Sequence, residues 1–131
     1  MKNANETLGF LSEQIKSNQI RRADLKEKLQ EVLNSKAYYQ KVRDQREMLI
    51  ETQVYLNDTE KQYTNDKART IAVKSKLSVD GPFNSFQGNI DKYDEKINEI
   101  ELLLRRNQIE IAFLERQYHI GLLTMGERLS A

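Results

Sequence analysis

Apolar residues in the second half of the chain recur every seven positions on both sides of one turn-like segment. The segment is Val79 to Gly88 (VDGPFNSFQG), where Asp-Gly-Pro precedes Asn, Ser and a second Gly, a composition typical of turns. A sustained seven-residue repeat marks a helix whose apolar seam always faces one partner. The pattern therefore predicts two long helices, over residues 36–78 and 89–125, joined by a turn at 79–88.

The two apolar ladders are mirror images about the centre of that turn. Folding the chain there sets Leu56 beside Ile111 in a long antiparallel coiled-coil hairpin, and the same register sets Lys74 opposite Asp94. The predicted hairpin seam consists of Val42, Leu49, Leu56, Tyr63, Leu77, Ile90, Ile97, Leu104, Ile111, Tyr118 and Met125.

An N-terminal amphipathic helix over residues 6–33 is predicted to precede the hairpin. A weak break follows at Asn34-Ser35, where Ser35 could cap a new helix; alternatively, the first two helices run on as a single rod. The N-terminal helix carries its own apolar stripe. A second stripe on the return helix, interrupted by Asn107, finds no apolar partner within the hairpin.

These unpaired stripes predict either a closed three-helix bundle or an oligomer, and the oligomer buries them more fully. From Ile109 onward the return helix is apolar nearly all round, as expected of a segment with more than one neighbour. The predicted oligomer or partner interface consists of Leu8, Leu11, Ile15, Leu25, Leu29, Val32, Ile100, Ile109, Phe113 and Leu114.

Composition supports one all-α domain that is elongated and spans residues 1–131. The chain is 38% hydrophobic and 31% charged, with one Pro, five Gly and no Trp. Long amphipathic helices have this make-up because they need a narrow apolar stripe rather than a thick core.

Charge and hydropathy exclude several classes of partner. The chain has 21 basic and 20 acidic side chains, so the overall basic excess of many nucleic-acid-binding proteins is missing. No run approaches the roughly 18 apolar residues of a membrane span, and the N-terminus lacks the apolar core of a signal peptide. We expect a cytoplasmic protein, or one incorporated into a macromolecular assembly such as a virion, with no membrane partner.

Candidate chemistry is missing from the sequence. The glycines form neither a dinucleotide fingerprint nor a phosphate-binding loop, and no serine lies in a nucleophile elbow. His119 is the single histidine, and there is no Cys, which excludes disulfides, thiolate sites and two-His zinc motifs. We therefore predict no enzymatic activity, no catalytic or metal site and no cofactor.

A basic run before the turn is the one candidate nucleic-acid surface. Its residues are Lys67, Arg69, Lys74 and Lys76. The segment Lys74-Ser75-Lys76-Leu77, a Gly-containing loop and Asp91-Lys92-Tyr93 are distantly similar to phage recombination-mediator proteins, small helical oligomers that load recombinase on single-stranded DNA. The likeness covers less than a third of the chain, and the aromatic pair expected before the loop is absent.

Two functional hypotheses follow. The first is a non-enzymatic structural, assembly or adaptor protein that oligomerises through coiled-coil helices and docks on a larger complex, such as a phage or bacterial assembly. Its partners would be further copies of itself and other proteins of that assembly. The alternative is a helical nucleic-acid-binding accessory factor, such as a single-stranded DNA-binding recombination mediator.

Overall fold

The described residues of the chain form three helices. A computed structural model describes residues 3–57 and 65–130, with side chains through residue 127. Helix α1 spans Ala4–Asn57, α2 spans Asp66–Ser78 and α3 spans Gly81–Ser130, and the described residues contain no strand. The predicted all-α class is confirmed.

Helix α1 runs without interruption through the predicted break at Asn34-Ser35. It is capped at its start by Asn3, whose side-chain oxygen accepts a hydrogen bond from the backbone N–H of Glu6 at 2.8 Å. No Gly or Pro occurs between residues 10 and 80, and an interior Asn or Ser costs a helix less than about 1 kcal/mol relative to Ala. A helix ending at residue 33 was therefore the wrong prediction, and the single-rod alternative describes the chain through Asn57.

The predicted helix over residues 36–78 is wrong in its bounds. Its second part forms a separate helix, α2, that begins after Asn65. Asn65 has extended backbone angles (φ −160°, ψ 172°), and its side chain accepts a hydrogen bond from Ala68 N at 2.8 Å. This is the geometry of an N-cap. Tyr63, a predicted seam residue, lies outside the described residues.

The predicted turn at 79–88 is also wrong, because helix α3 already begins at Gly81. Between α2 and α3 the non-helical residues are Val79 and Asp80. Asp80 caps α3 through its carboxylate, which accepts a hydrogen bond from the backbone N–H of Phe83 at 2.9 Å. Pro82 then falls in the first helical turn, where its missing N–H removes no intrahelical bond. The same Asp-Gly-Pro sequence that suggests a turn thus starts a helix.

The contacts divide the chain into two compact units. Unit 1 comprises residues 1–30 and 98–131, and unit 2 comprises residues 31–97. In unit 1 the first part of α1 packs antiparallel on α3: Leu8 approaches Gly121, and Asn18 bonds to Asn107. The buried apolar residues of this unit are Leu8, Ile100, Ile111 and Leu114.

In unit 2 the second part of α1 also runs antiparallel to α3. Lys36 Nζ lies 2.6 Å from the carboxylate of Asp94, and Arg43 donates to the Gln87 side chain at 3.0 Å. Helix α2 completes the unit by packing on the end of α1. The core there consists of Ile50, Val54, Val73 and Leu77, with Ala72 and Phe83 packed against it.

The face that α1 turns inward differs from the predicted seam. Leu49 and Leu56 are 46% and 70% exposed, so within unit 2 these two side chains do not pack against α3. The inward positions are one residue away and continue the spacing of the N-terminal stripe through Lys36, Tyr39, Arg43, Arg46 and Ile50. The aliphatic parts of long polar side chains can cover apolar surface. Because three of these inward residues are charged, a pattern of apolar residues does not reveal this face of α1.

Helix α3 presents both of its predicted stripes to the inside of its unit. Ile90 and Ile97 are buried in unit 2, whereas Ile111 is buried and Leu104, Tyr118 and Met125 are half-buried in unit 1. The second stripe, which includes Tyr93, Ile100, Asn107 and Leu114, is likewise buried or half-buried. Its partner is α1 rather than the helix that precedes the Asp-Gly-Pro segment.

Candidate interaction surfaces

A polar pair interrupts the apolar seam of unit 1. Asn107 is 5% exposed, and its Nδ2 donates to the backbone O and side-chain Oδ1 of Asn18 at 3.1 and 3.3 Å. Its own Oδ1 is buried without a hydrogen-bond partner in the described part of the chain. A buried amide of this kind fixes which residues of two helices face each other, at a cost in stability. The Asn18–Asn107 pair therefore sets which residues of α1 and α3 face each other, and it does not form a catalytic or binding site.

An ion pair holds the start of α3 in unit 2. Arg46 donates to both carboxylate oxygens of Asp80, at 3.0 and 2.8 Å. The hydrogen bond from Arg46, followed by that from Phe83 N–H, lowers the pKa of Asp80, and the bond to Asp80 raises the pKa of Arg46. Both groups are therefore charged at neutral pH. Arg46 and Asp80 therefore form a structural ion pair, because neither side chain has a pKa suited to proton transfer.

The predicted charge register between the helices is not the observed one. Asp94 pairs with Lys36 of α1, rather than with Lys74. Around Tyr39, ring contacts with Phe86 at 6.5 Å and Tyr93 at 5.7 Å occupy the inward face of unit 2 instead.

Helix α3 carries a second apolar stripe on the side opposite its inward face in unit 1. This α3 outer stripe consists of Leu102, Ile109, Phe113, Ile120 and Leu123, which are between 46% and 65% exposed. Their spacings of seven, four, seven and three residues keep them on one side of a helix with 3.6 residues per turn. This part of α3 is therefore apolar on two opposite sides.

Helix α1 has a comparable outward stripe within unit 2. This α1 outer stripe consists of Tyr38, Met48, Leu49, Tyr55 and Leu56, which are between 46% and 70% exposed. Tyr38 also contacts the Tyr39 ring edge-on at 5.4 Å, and the guanidinium of Arg69 lies 5.3 Å from the Tyr55 ring. Large apolar side chains that align on one exposed face, rather than scattering singly, mark an interaction surface.

The predicted interface residues are divided between the inside and the outside of unit 1 and the start of unit 2. Ile109 and Phe113 are exposed, as an interface with another chain would require. The others cover the facing helix within the chain and are buried or half-buried: Leu8, Leu11, Ile15, Leu25, Leu29, Val32, Ile100 and Leu114. The predicted interface set did not include Leu102, Ile120 or Leu123, although Ile120 and Leu123 belong to the apolar segment from Ile109 onward that was predicted to have more than one neighbour. Leu102 lies seven residues before Ile109, Ile120 lies seven after Phe113 and Leu123 lies fourteen after Ile109, and this repeat is the signal that could have identified them.

The four candidate nucleic-acid contacts do not form one surface on α2. Lys67 and Lys74 are seven residues apart and share one face, whereas Arg69 and Lys76 share the opposite face. Arg69 is half-buried, and its guanidinium lies 3.1 Å from the carboxylate of Asp66. Lys67, Lys74 and Lys76 are exposed.

Over residues 3–57 and 65–130, no cluster of three or more His, Asp or Glu residues is placed to hold a metal ion. In the same part of the chain, no helix is both apolar and long enough to cross a membrane. No protein-family model, curated protein or solved structure matches this chain. Functional inference therefore rests on the two outer stripes.

Proposed function

We propose that this chain is a non-enzymatic assembly or adaptor protein that associates with further copies of itself through its helices and docks on a larger complex. The observation that supports this function is the pair of outer stripes on α1 and α3. Each has five large apolar side chains that are at least 46% exposed, and of these Tyr55 also borders a groove with Val73 and Lys74 of α2. Coiled-coil packing against a second chain would remove these side chains from water.

Burial of one outer stripe would contribute enough free energy to affect association. Full burial of a Leu, Ile or Phe side chain contributes about 1.5–3 kcal/mol, so the half that is still exposed contributes about 1 kcal/mol each and about 5 kcal/mol per stripe. Because α3 in unit 1 is apolar on both sides, it resembles a helix with two neighbours. Helix α1 supplies one of them, and the second would come from another molecule.

Concentration-dependent mass is the direct test. Sedimentation velocity and light scattering should show a mass above one chain at micromolar concentration, and the mass should fall on dilution. Phe113→Ser and Ile109→Ser should lower the mass while circular dichroism remains helical, because both side chains are exposed. Gln108→Ser, a change at an exposed position beside the α3 outer stripe, is the matched control. A single-chain mass at every concentration up to about 100 µM would refute self-association, since a Kd of about 100 µM corresponds to only about 5.5 kcal/mol of binding free energy.

The arrangement of α2 gives little support to the nucleic-acid hypothesis. A nucleic-acid surface needs several cations along one face, because affinity rises with each phosphate that is neutralised. Two lysines on one side of a thirteen-residue helix would supply only weak, nonspecific binding. The assembly function is therefore preferred.

A further inference from the structure

The side of α1 that faces away from α3 in unit 1 is acidic. Helix α1 packs on α3 there through its buried and half-buried side, which includes Leu8 and Asn18. With 3.6 residues per turn, an exposed isoleucine and four exposed acids lie within about 35° of the opposite direction. We call these five residues the α1 acidic face: Glu6, Glu13, Ile20, Asp24 and Glu27. Lys16 and Lys28 lie at its two edges.

The α3 outer stripe lies on the other side of the same unit and contains arginines. Arg105 and Arg116 lie within about 40° of the direction opposite to the buried residues of α3, and Arg106 lies at the edge of the stripe. All three arginines are exposed. The acidic residues of α3 in unit 1 lie to the sides of the stripe or beyond its end: Glu99, Glu101, Glu110, Glu115 and Glu127. The α3 outer stripe is therefore both apolar and basic.

The charges on these two faces decide which pairs of faces can meet. None of the four acids and none of the three arginines forms an ion pair with another described residue. Two copies joined through the same face would bring like charges together, acids in one case and arginines in the other. Contact between the two different faces brings opposite charges together, and it covers Ile20 and the apolar residues of the α3 outer stripe at the same time.

The α1 outer stripe of unit 2 does not offer the same charge complement to the arginines. Between Tyr38 and Leu56, the charged residue on the side of that stripe is Lys41. The α1 acidic face of unit 1 is therefore the better partner for the α3 outer stripe.

The spacing of the charges also matches between the two faces. Glu13 and Asp24 are eleven residues apart, and so are Arg105 and Arg116. Eleven residues are about three turns of a helix, so each pair stays on one side of its helix and both ion pairs can form at once. This match holds whether the two helices run parallel or antiparallel.

The interface inferred from these charges rests on the self-association proposed above and deepens it. We propose that the α1 acidic face of one copy packs on the α3 outer stripe of a second copy, with Glu13 and Asp24 bound to Arg105 and Arg116. Because the two faces lie on opposite sides of unit 1, each contact leaves one α1 acidic face and one α3 outer stripe free. Such a heterologous interface continues until it closes into a ring or extends as a filament.

Charge exchange tests this interface directly. An acidic variant carries Arg105→Glu and Arg116→Glu, and a basic variant carries Glu13→Lys and Asp24→Lys. All four positions are exposed, so both variants should remain helical by circular dichroism. In sedimentation velocity, each variant alone should associate at least tenfold more weakly than the wild type, because like charges then meet at both ion pairs. An equimolar mixture should recover the wild-type mass, since each altered face meets its complement in the other variant.

The matched control changes the net charge equally but outside unit 1. It carries Glu51→Lys and Glu95→Lys, two exposed positions of unit 2, and should associate like the wild type. If the wild type has the mass of one chain, both proposals fall. If the wild type assembles while the acidic or basic variant assembles equally well, self-association stands and this interface is overturned. A mixture that stays dissociated, or a control that dissociates as much as the two variants, overturns it as well.

Cysteine crosslinking gives a second test that does not depend on charge. The chain has no native Cys, and Ile20 and Ile109 are 64% and 65% exposed, so Ile20→Cys and Ile109→Cys should fold normally. With a long bis-maleimide crosslinker, a mixture of the two variants should yield dimers that contain one copy of each. Either variant alone should yield few dimers, because like faces do not meet. Efficient crosslinking of Ile109→Cys alone would reveal an α3-to-α3 contact and overturn the proposed interface.

Discussion

Replacing Asn107 by Leu should make the protein more stable. The side chain is 5% exposed, and its buried Oδ1 accepts no hydrogen bond from the described residues. A buried acceptor without a partner costs about 1–3 kcal/mol. Leu is close to Asn in size and would extend the apolar seam between Ile100, Ile111 and Leu114 of α3 and the facing part of α1.

The magnitude follows from three contributions to the free energy of unfolding. Removing the unpaired acceptor adds about 1–3 kcal/mol, and losing the shared hydrogen bond to Asn18 subtracts about 1 kcal/mol. Burying a Leu side chain adds up to about 1.5–3 kcal/mol, less whatever its different shape costs in repacking. We expect a net increase of about 2 kcal/mol. Asn18 is half-buried, so water can satisfy the group that loses its donor.

Urea unfolding followed by circular dichroism at one fixed protein concentration would measure the change. The reverse substitution one turn away, Ile111→Asn, is the control and should cost at least about 2 kcal/mol, because it places an amide without a designed partner at a buried position. Asn18→Ala should cost about 1 kcal/mol in the wild type and almost nothing beside Asn107→Leu, since the bond is then already lost. A fall in the unfolding free energy for Asn107→Leu would refute the assignment of a net cost to this amide.

Three further outcomes are expected. Gly121→Ala should raise the melting temperature slightly, because Ala is favoured over Gly in a helix by about 1 kcal/mol. The new Cβ would lie 2.8 Å from Leu8 Cδ2, and this end of the Leu8 side chain can move. Gly121→Val should lower the melting temperature, because Leu8 cannot yield enough space. Since the pKa of Asp80 is lower in the folded state, its contribution to stability is present above about pH 4 and is lost as the pH falls through the folded pKa. On acid titration, Asp80→Asn should therefore lose unfolding free energy less steeply than the wild type. An equally steep loss of unfolding free energy would contradict this. Single-stranded DNA should bind at about 10⁻⁴ M or more weakly at physiological salt, and Lys67→Gln with Lys74→Gln should change assembly little; a micromolar, salt-sensitive complex that these two changes abolish would favour the nucleic-acid function instead.

The stripes of α3 could be predicted from sequence because their members are apolar. Ile90, Ile97 and Ile111 carry the seven-residue repeat through residue identity alone, and the structure places them in the interior of their units. The inward face of α1 in unit 2 could not be predicted in this way. Lys36 and Arg43 contribute their stems to this face and their charges to Asp94 and Gln87, so an apolar count leaves them out.

The helix boundaries failed for a different physical reason. Asp-Gly-Pro favours a tight turn, but Asp is also an N-cap and Pro is also favoured in the first helical turn. Local sequence cannot choose between these two outcomes. Arg46, 34 residues earlier, binds the Asp80 carboxylate and fixes it where it caps α3. The boundary is therefore decided by a contact that is distant in sequence.

The seven-residue repeat through Leu49 and Leu56 does not face α3 in unit 2. A seven-residue repeat indicates that a helix keeps one face toward a partner, but it does not indicate that the partner belongs to the same chain. In unit 2 the inward face of α1 is occupied through Tyr39, Arg43 and Ile50, and Leu49 and Leu56 are exposed, whereas Val42 is half-buried. The described residues of unit 2 leave Leu49 and Leu56 exposed, and under the assembly function proposed above a helix of another copy would cover them. Leu49 and Leu56 therefore belong both to the predicted hairpin seam and to the proposed assembly surface, and the proposed self-association would give their seven-residue spacing a partner in a second copy.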